Sequence, residues 1–492
     1  QIVKTRIEPP EIWWLFSFII QSMTITKSDF LVYLDAPLHL WADKHNLLEK
    51  TTPSDYDLHL MSEGQKVEKY ANQFLEEIVL KQYSSAQIHF QPTYHDGDFE
   101  ARADVLIFDN EAGVYDVYEI KSSTSVKKEN LYDATFQQLV CEANIPVRNI
   151  FLVHLNKDYV LEDELDLEQL FVVENITANC QQLKDEVANS RQEALAMCLQ
   201  ENADGIEACY KPSACPCPQL CHPNLPADSI YDLSRLTWQK AKQLRELGIS
   251  TLHDIPDDFP LTYAQRMQIK AVKSGETFID QASIAEELAN LEYPLYFLDY
   301  ETYNSALPLH RGYKPQQQMV FQYSLHVVEQ NNKEIHHREF IAQTQNDPAY
   351  ELVKHLRNSI SDLGSVIVWN KTFEAGRNKE MAELYPEFAP FLLGLNERIY
   401  DLADIFKQCL YVDPKFKGSW SIKNVLPVLV PGLSYKELEI RKGDQAMITW
   451  WKMTQELTNE SEEEIIKRNL LKYCQLDTWA MVEILGKIKA VI

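Results

Sequence analysis

Tyr293-Pro-Leu-Tyr-Phe-Leu-Asp-Tyr-Glu301 is the stretch on which the fold of the second half of the chain turns. Its apolar run has the length of a buried strand and ends in acid, so it reads as the opening strand of an α/β unit. Alternate residues of a strand share a face, which puts Asp299 and Glu301 together and turns Tyr300 the other way. Working outward, strands are expected near 319–328 and 334–342, then a helix near 348–361, the strand Ser365-Val-Ile-Val-Trp369, a helix from Thr372 and a long helix from about 462. The unit is assigned to residues 291–492.

Two further segments bring acids toward the same strand ends. Val368-Trp-Asn-Lys-Thr-Phe-Glu374 runs from strand into helix, and Tyr473-Cys-Gln-Leu-Asp477 sets a phenol and a carboxylate one helical turn apart. Hydrolysis of a phosphodiester by two divalent cations roughly 3.5–4 Å apart needs such a carboxylate set, with a phenol or histidine to orient the attacking water. Taken singly, a strand-end Asp-x-Glu and a helical Tyr-x-x-x-Asp occur as solvated surface or caps; their order along one α/β pattern is what makes them a site. The residues resemble the DEDD exonucleases of the RNase H-like superfamily, in the variant with tyrosine in its last motif. Asp299 and Glu301 match the first motif, Tyr473 and Asp477 the third, and Glu374 stands where the second normally has aspartate. The resemblance implies a mixed sheet with helices, a catalytic set of Asp299, Glu301, Glu374, Tyr473 and Asp477, and Mg2+ or Mn2+ held by Asp299, Glu301 and Asp477. Asp401, after Arg398, is a further acid that could stand in for Glu374.

The first half repeats the α/β theme. Val67, Tyr70, Ala71, Phe74 and Ile78 recur at helical spacing over 63–79; extended apolar runs follow around 87–92, 99–108 and 114–121, then a helix at 131–143 and the strand Asn149–Leu155. Arg102-Ala-Asp104 on one run and Val117-Tyr-Glu-Ile-Lys121 on the next set an aspartate beside a Glu-x-Lys pair that shares a face. Asp104 and Glu119 can bind a cation, and Lys121 can polarise water or stabilise the developing charge. A Glu-x-Lys pair alone is often a solvent-facing pair; the apolar setting and Asp104 argue for chemistry. This is the PD-(D/E)XK pattern, and Gln137, four residues before Cys141, resembles the Gln-x-x-x-Tyr motif of RecB-type nucleases with cysteine in the tyrosine position. The resemblance implies a restriction-endonuclease-like core with Asp104, Glu119, Lys121 and Gln137 as catalytic residues. It adds Glu68, where such enzymes often carry a histidine or acid on the first helix, as a further cation ligand.

Of nine cysteines, Cys209, Cys215, Cys217 and Cys221 crowd into one short stretch. In a cytosolic chain that pattern points to metal and not to disulfides, with a reduced, empty cluster as the alternative. RecB-like and AddB-like nucleases, and the related CRISPR-adaptation nucleases, can carry an iron–sulfur cluster on one early and three late cysteines. The late three resemble Cys209, Cys215 and Cys221, but Ala36 occupies the place of the early one. Cys217, or as second choice His222, then replaces it, for a [4Fe–4S] cluster or Zn2+.

At 492 residues with 45% hydrophobic content, the chain has room for about two to four domains. A net charge of −26 argues against a protein that coats nucleic acid. It leaves a nuclease open, because catalytic carboxylates are neutralised by their own cations. The apolar stretch Ile12–Ile20 is too short to span a bilayer and lacks a basic n-region with a cleavage site, so a soluble, cytoplasmic protein without a membrane partner is expected. Residues 1–22 read as an extension ahead of Met23, 23–225 as the RecB-like unit with its cysteines, and 226–290 as a small helical connector.

The whole chain resembles a bacterial family that joins a RecB-like nuclease domain, a cysteine motif and an RNase H-like domain. Phe321-Gln-Tyr-Ser-Leu-His326, Arg398-Ile-Tyr-Asp-Leu402, Gly418-Ser-Trp-Ser-Ile-Lys-Asn-Val-Leu-Pro427 and Tyr473-Cys-Gln-Leu-Asp-Thr478 carry that resemblance. It implies a nuclease acting on nucleic acid, DNA favoured over RNA, in repair or defence, with a 3′→5′ exonuclease-like C-terminal site. Arg102, Ser419, Ser421 and Lys423 are candidate phosphate-backbone donors; Ser-x-Ser-x-Lys before an apolar run fits a helix cap equally well. The rival is a catalytically degenerate module that binds nucleic-acid ends or a protein, favoured by Glu374, Cys141 and the acidic charge. A third reading has only one half cutting.

Overall fold

Runs of alternating and continuous apolar residues give two five-stranded mixed sheets in this computed structural model, which describes residues 23–49, 52–330, 334–455 and 460–492. The expected extension 1–22 and its apolar stretch lie outside the described residues. The protein is an α/β multidomain chain. Among the described residues no helix is long and apolar enough to cross a membrane.

Among the described residues the first half contains eight strands: β1 (Ile25–Thr26), β2 (Ala86–Phe90), β3 (Thr93–Asp96), β4 (Phe99–Arg102), β5 (Val105–Asp109), β6 (Val114–Lys121), β7 (Val147–Leu155) and β8 (Phe171–Asn175). The larger sheet runs β2-β5-β6-β7-β8 and a smaller one β1-β4-β3. Only β6 and β7 pair in parallel within the larger sheet, as their crossover through the Lys128–Glu142 helix requires. The run expected at 99–108 is two strands in two sheets. The chain breaks at Ala103 and Asp104, where Ala103 N–H bonds Pro92 O and the Asp104 carboxylate accepts from Ile120 N–H at 2.8 Å. That break aims Asp104 at β6. The first long helix, Asp55–Phe74, starts earlier than its apolar spacing suggests because Ser54 and Asp57 form a capping box.

In the second half β10 (Leu295–Asn304), β11 (Gln318–Val328), β12 (Ile335–Ile341), β13 (Ser365–Val368) and β14 (Ile399–Asp401) form a sheet of order β12-β11-β10-β13-β14. The first three strands are antiparallel and the last two run parallel to β10. Alternation along β10 feeds both faces: Phe297 and Tyr303 pack with the Gly443–Thr454 and Glu460–Lys489 helices, while Leu298 and Tyr300 pack with the Pro348–Arg357 and Lys371–Leu384 helices. The strand does not stop at its acids, as its sequence suggests, but pairs with β11 as far as Asn304, so Asp299 and Glu301 lie in its middle and face the C-terminal helices.

The connector has its own small core around Ile230, Leu244 and Ile269. Its end is laced to the second half: β9 (Phe278–Ile279) pairs with β15 (Tyr411–Val412), and Ile284 and Leu288 join the cluster of Leu295 and Phe297. The two halves also interlock directly. Ala306 and Leu307, just past β10, sit in the apolar cluster of Val67, Phe74 and Tyr118. Buried Glu63 accepts from Ser305 Oγ at 2.6 Å and Ala306 N–H at 2.8 Å.

Candidate metal centres

The C-terminal helix Glu460–Lys489 is docked on β11 by polar contacts that fix its rotation. Gln322 donates to Leu470 O at 2.9 Å, and Thr478 Oγ1 lies 2.7 Å from Ser324 Oγ and 2.8 Å from His326 Nδ1. Tyr473, Cys474 and Asp477 thereby face β10. The Lys371–Leu384 helix is held from the other side by Tyr300, whose hydroxyl donates to Asn378 at 2.9 Å, and carries Glu374 in its first turn.

These two helices and β10 bring Asp299, Glu301, Glu374 and Asp477 into one buried group whose charges act on one another. Burial and then the neighbouring carboxylates push Asp299 and Glu301 well above the usual range. Burial raises Glu374 to about 8 and Asp477 to about 6, the latter in spite of a 2.5 Å bond from the Tyr435 hydroxyl. Glu374 Oε2 is buried with no hydrogen-bond partner among the described residues. Burial also drives the Tyr473 phenol upward, so it stays protonated at neutral pH, with Lys423 Nζ 3.4 Å from its oxygen. The Cys474 thiol donates to Asp299 Oδ2 at 3.5 Å. Tyr435 and Cys474 had no sequence signal beyond, for Cys474, its place inside the Tyr473–Asp477 turn.

Asp401, the acid that could stand in for Glu374, lies near enough to act on the Glu374 charge. Its carboxylate is engaged locally, accepting from Lys371 N–H at 3.0 Å, Ala403 N–H at 3.1 Å and Lys407 Nζ at 2.7 Å. Lys423 is exposed and donates to Arg441 O at 2.8 Å. Ser421 sits at the N-cap of the Ile422–Leu429 helix without a capping bond from its side chain, and Ser419 Oγ accepts from Ser421 N–H at 3.2 Å.

In the first half Glu119 is buried and paired twice, with Lys27 Nζ at 2.7 Å and Lys121 Nζ at 2.8 Å. Burial alone would raise its carboxyl; the two ammonium groups hold it down at about 2. Asp104, raised to about 7 by burial and then by Glu119, faces the same group. Lys121 also meets Asp133 at 2.5 Å, and Gln137 accepts from Lys27 at 3.1 Å. Lys27 and Asp133 were missed: Asp133 lies one turn before Gln137 on the same helix, whereas Lys27 comes from the first helix with nothing local to announce it. Glu68 turns elsewhere, accepting from Gln91 at 2.6 Å, and Arg102 is exposed at the end of β4. Cys141 is buried and its thiol pushed up to about 12.

A cavity of about 590 Å3 lies between the halves. Glu301, Gln318 and Phe373 line it from the second half; His59, Leu60 and Ser122, next to Lys121, line it from the first. The cysteines form a third group. His39 Nε2 lies 3.3 Å from Cys215 Sγ, Cys217 Sγ 3.7 Å from Cys221 Sγ, and Cys209 Sγ 3.2 Å from His222 Nε2.

Residues 296–421 match the family described as "Domain of unknown function (DUF2779)". That span includes Asp299, Glu301 and Glu374 and stops before Tyr473 and Asp477. The chain is 29% identical over 297 residues to the uncharacterized protein UU173 of Ureaplasma parvum, covering 55% of this chain and 42% of that protein. It is 29% identical over 215 residues to the uncharacterized protein MG366 of Mycoplasma genitalium, covering 40% and 32%. No solved structure matches. The chain spans less than half the length of these curated relatives, and the stretch shared with the family centres on the β10 sheet.

Proposed function

We propose that the chain is a metal-dependent nuclease whose second half, an RNase H-like unit, carries the hydrolytic centre. One observation bears most of the weight: four carboxylates on three separate elements lie close enough to act on one another's charge, eased at Glu301 by Lys423 and at Asp477 by the Tyr435 hydroxyl and Lys423. Buried like charges of this kind repel unless protonated or bridged by cations. The carboxylate oxygens, among them the orphaned Glu374 Oε2, are hard donors that fit Mg2+ or Mn2+, with the Cys474 thiol beside Asp299 and Glu301 as the one soft neighbour among the described residues. The sheet order supports the same reading, since β13 pairs with β10 only over Leu295–Phe297 and ends before Asp299, so the Lys371–Leu384 helix that follows it starts beside the acids.

Asp299, Glu301 and Asp477 would hold the cations, with Glu374 closing the group from the Lys371–Leu384 helix. Bound there, two cations supply Lewis acidity to the scissile phosphate and lower the pKa of the attacking water. Tyr473, kept protonated, donates to and orients that water; Lys423, beside it, meets the phosphate backbone. The cavity between the halves gives a polynucleotide a path to Glu301.

The first half fits a PD-(D/E)XK core that grips and does not cut. Lys27 Nζ already bonds Glu119 and Gln137, placing an ammonium where a cation would otherwise sit. The deciding assay incubates purified protein with labelled single- and double-stranded DNA and RNA plus Mn2+. Asp299→Ala is expected to lower hydrolysis by more than about 100-fold, while Lys121→Ala weakens binding and leaves cleavage chemistry in place. Absence of hydrolysis on every substrate sinks the enzyme reading and leaves the binding module.

A further inference from the structure

Residues 199–229 contain little regular structure: one short 3-10 turn, Pro212–Ala214, and one helical turn, Pro218–Cys221. Yet Cys209, Cys217 and Cys221 are buried against Leu38, Trp41 and Met197. Other segments reach its backbone at a few points, among them Leu38 N–H to Glu207 O, Trp41 Nε1 to Gln200 O and Arg245 to Ala208 O, and the side chains it buries are these thiols with His222 and Ser229. The nearest partner contributed by another segment is His39, in the first turn of the Pro37–Lys44 helix, one turn on from the buried Ala36.

The ligand atoms of His39, Cys215, Cys217 and Cys221 all lie within 4.8 Å of one another. A tetrahedral zinc with Zn–S of about 2.3 Å and Zn–N of about 2.0–2.1 Å sets its sulfurs about 3.8 Å apart and nitrogen from sulfur about 3.5 Å apart. The observed Cys217–Cys221 and His39–Cys215 separations, 3.7 and 3.3 Å, match those edges. A [4Fe–4S] cluster has each thiolate capping a different iron, so the whole cluster stands between the sulfurs. Four donors gathered inside 4.8 Å are spaced for a single ion.

We propose that His39, Cys215, Cys217 and Cys221 hold a single tetrahedral zinc-type cation, with His39 as the ligand brought in from the Pro37–Lys44 helix. The set is closed, three thiolates and one imidazole, which is the arrangement of a structural and not a catalytic ion. Cys209 and His222, 3.2 Å apart, form an overlapping group with Cys215, whose sulfur belongs to both; of the two groups, only the four-donor one is complete for a tetrahedral ion. The ion fastens the 199–229 loop to the Pro37–Lys44 helix, standing in for the secondary structure the loop lacks. Nothing in this inference depends on the nuclease reading, and its test does not use cleavage.

The full chain is purified without chelator, its metals are measured by mass spectrometry, and X-ray absorption is recorded at the zinc edge. The expected result is one zinc per chain, a first shell of three sulfurs and one nitrogen, and no broad visible band. His39→Ala should release zinc to a chelator at least about tenfold faster than wild type. His39→Cys should retain the ion with a four-sulfur shell, and His222→Ala should behave as wild type. Cobalt substituted into the wild-type chain gives the same donor count without any mutation, so a His39→Ala chain that fails to fold does not block the test. Iron with acid-labile sulfide, a four-sulfur shell in wild type, unchanged retention in a folded His39→Ala, or a chain that takes up neither Zn2+ nor Co2+ each overturns the proposal.

Discussion

Glu374 is the residue at which the C-terminal centre departs from expectation, and its burial gives the departure a measurable sign. Its carboxyl rises from 4.5 to about 8. Between those values the folded state binds more protons than the unfolded one, so stability falls as pH climbs from about 4.5 through 8. In chelator-treated protein, Glu374→Gln should abolish much of that fall: thermal denaturation at pH 8 is expected to show a gain of about 1–3 kcal/mol, with little change near pH 4.5. Added Mn2+ should flatten the wild-type profile too, by binding the ionised form. A Glu374→Gln profile identical to wild type would mean that the group is hydrated and not buried as described.

Among the elements, the helix Lys27–Asp35 is the least conspicuous in sequence and among the most consequential. Thr26 and Asp29 cap it, Lys44 pairs with Asp29 at 2.7 Å, and its first residue reaches across to Glu119 and Gln137. Lys27→Met strips one partner from a buried carboxylate and should cost about 3 kcal/mol in the first half, read by denaturant unfolding. The same variant should gain cation-dependent stabilisation, because Asp104 and Glu119 lose the ammonium that stands between them and a metal; wild-type protein should not show it. Continuous apolar runs made β6, β7, β10 and β11 legible in advance, since burial on both faces leaves a strong local pattern. The three residues of β14 and the two of β1 carry no such pattern, and β3 and β8 are short and half polar. Site residues followed the same divide. Asp299 and Glu301, or Glu119 and Lys121, sit on one strand at a spacing that can be read; Lys27 is 92 residues from Glu119 and His39 is 176 from Cys215, distances at which only the folded chain reveals the pairing.

For the molecule as a whole, the proposed function makes the cavity lined by Leu60, Ser122 and Glu301 the place where both halves would touch one substrate. Leu60 is half-exposed at the rim and belongs to neither centre. Leu60→Trp should therefore slow hydrolysis of a long polynucleotide several-fold while leaving a small phosphodiester such as bis-p-nitrophenyl phosphate nearly unaffected. Equal slowing of both would place the substrate path elsewhere. Ala306 and Leu307, plugged into the first half's core, and Glu63, bonded to their backbone, also bear on how this chain can change over generations. A protease that nicked the connector would release no free fragment, since each piece would still be fitted into the other. By the same token neither half can be exchanged for a cousin's by recombination near residue 290, because the incoming piece would have to bring the matching plug or socket with it.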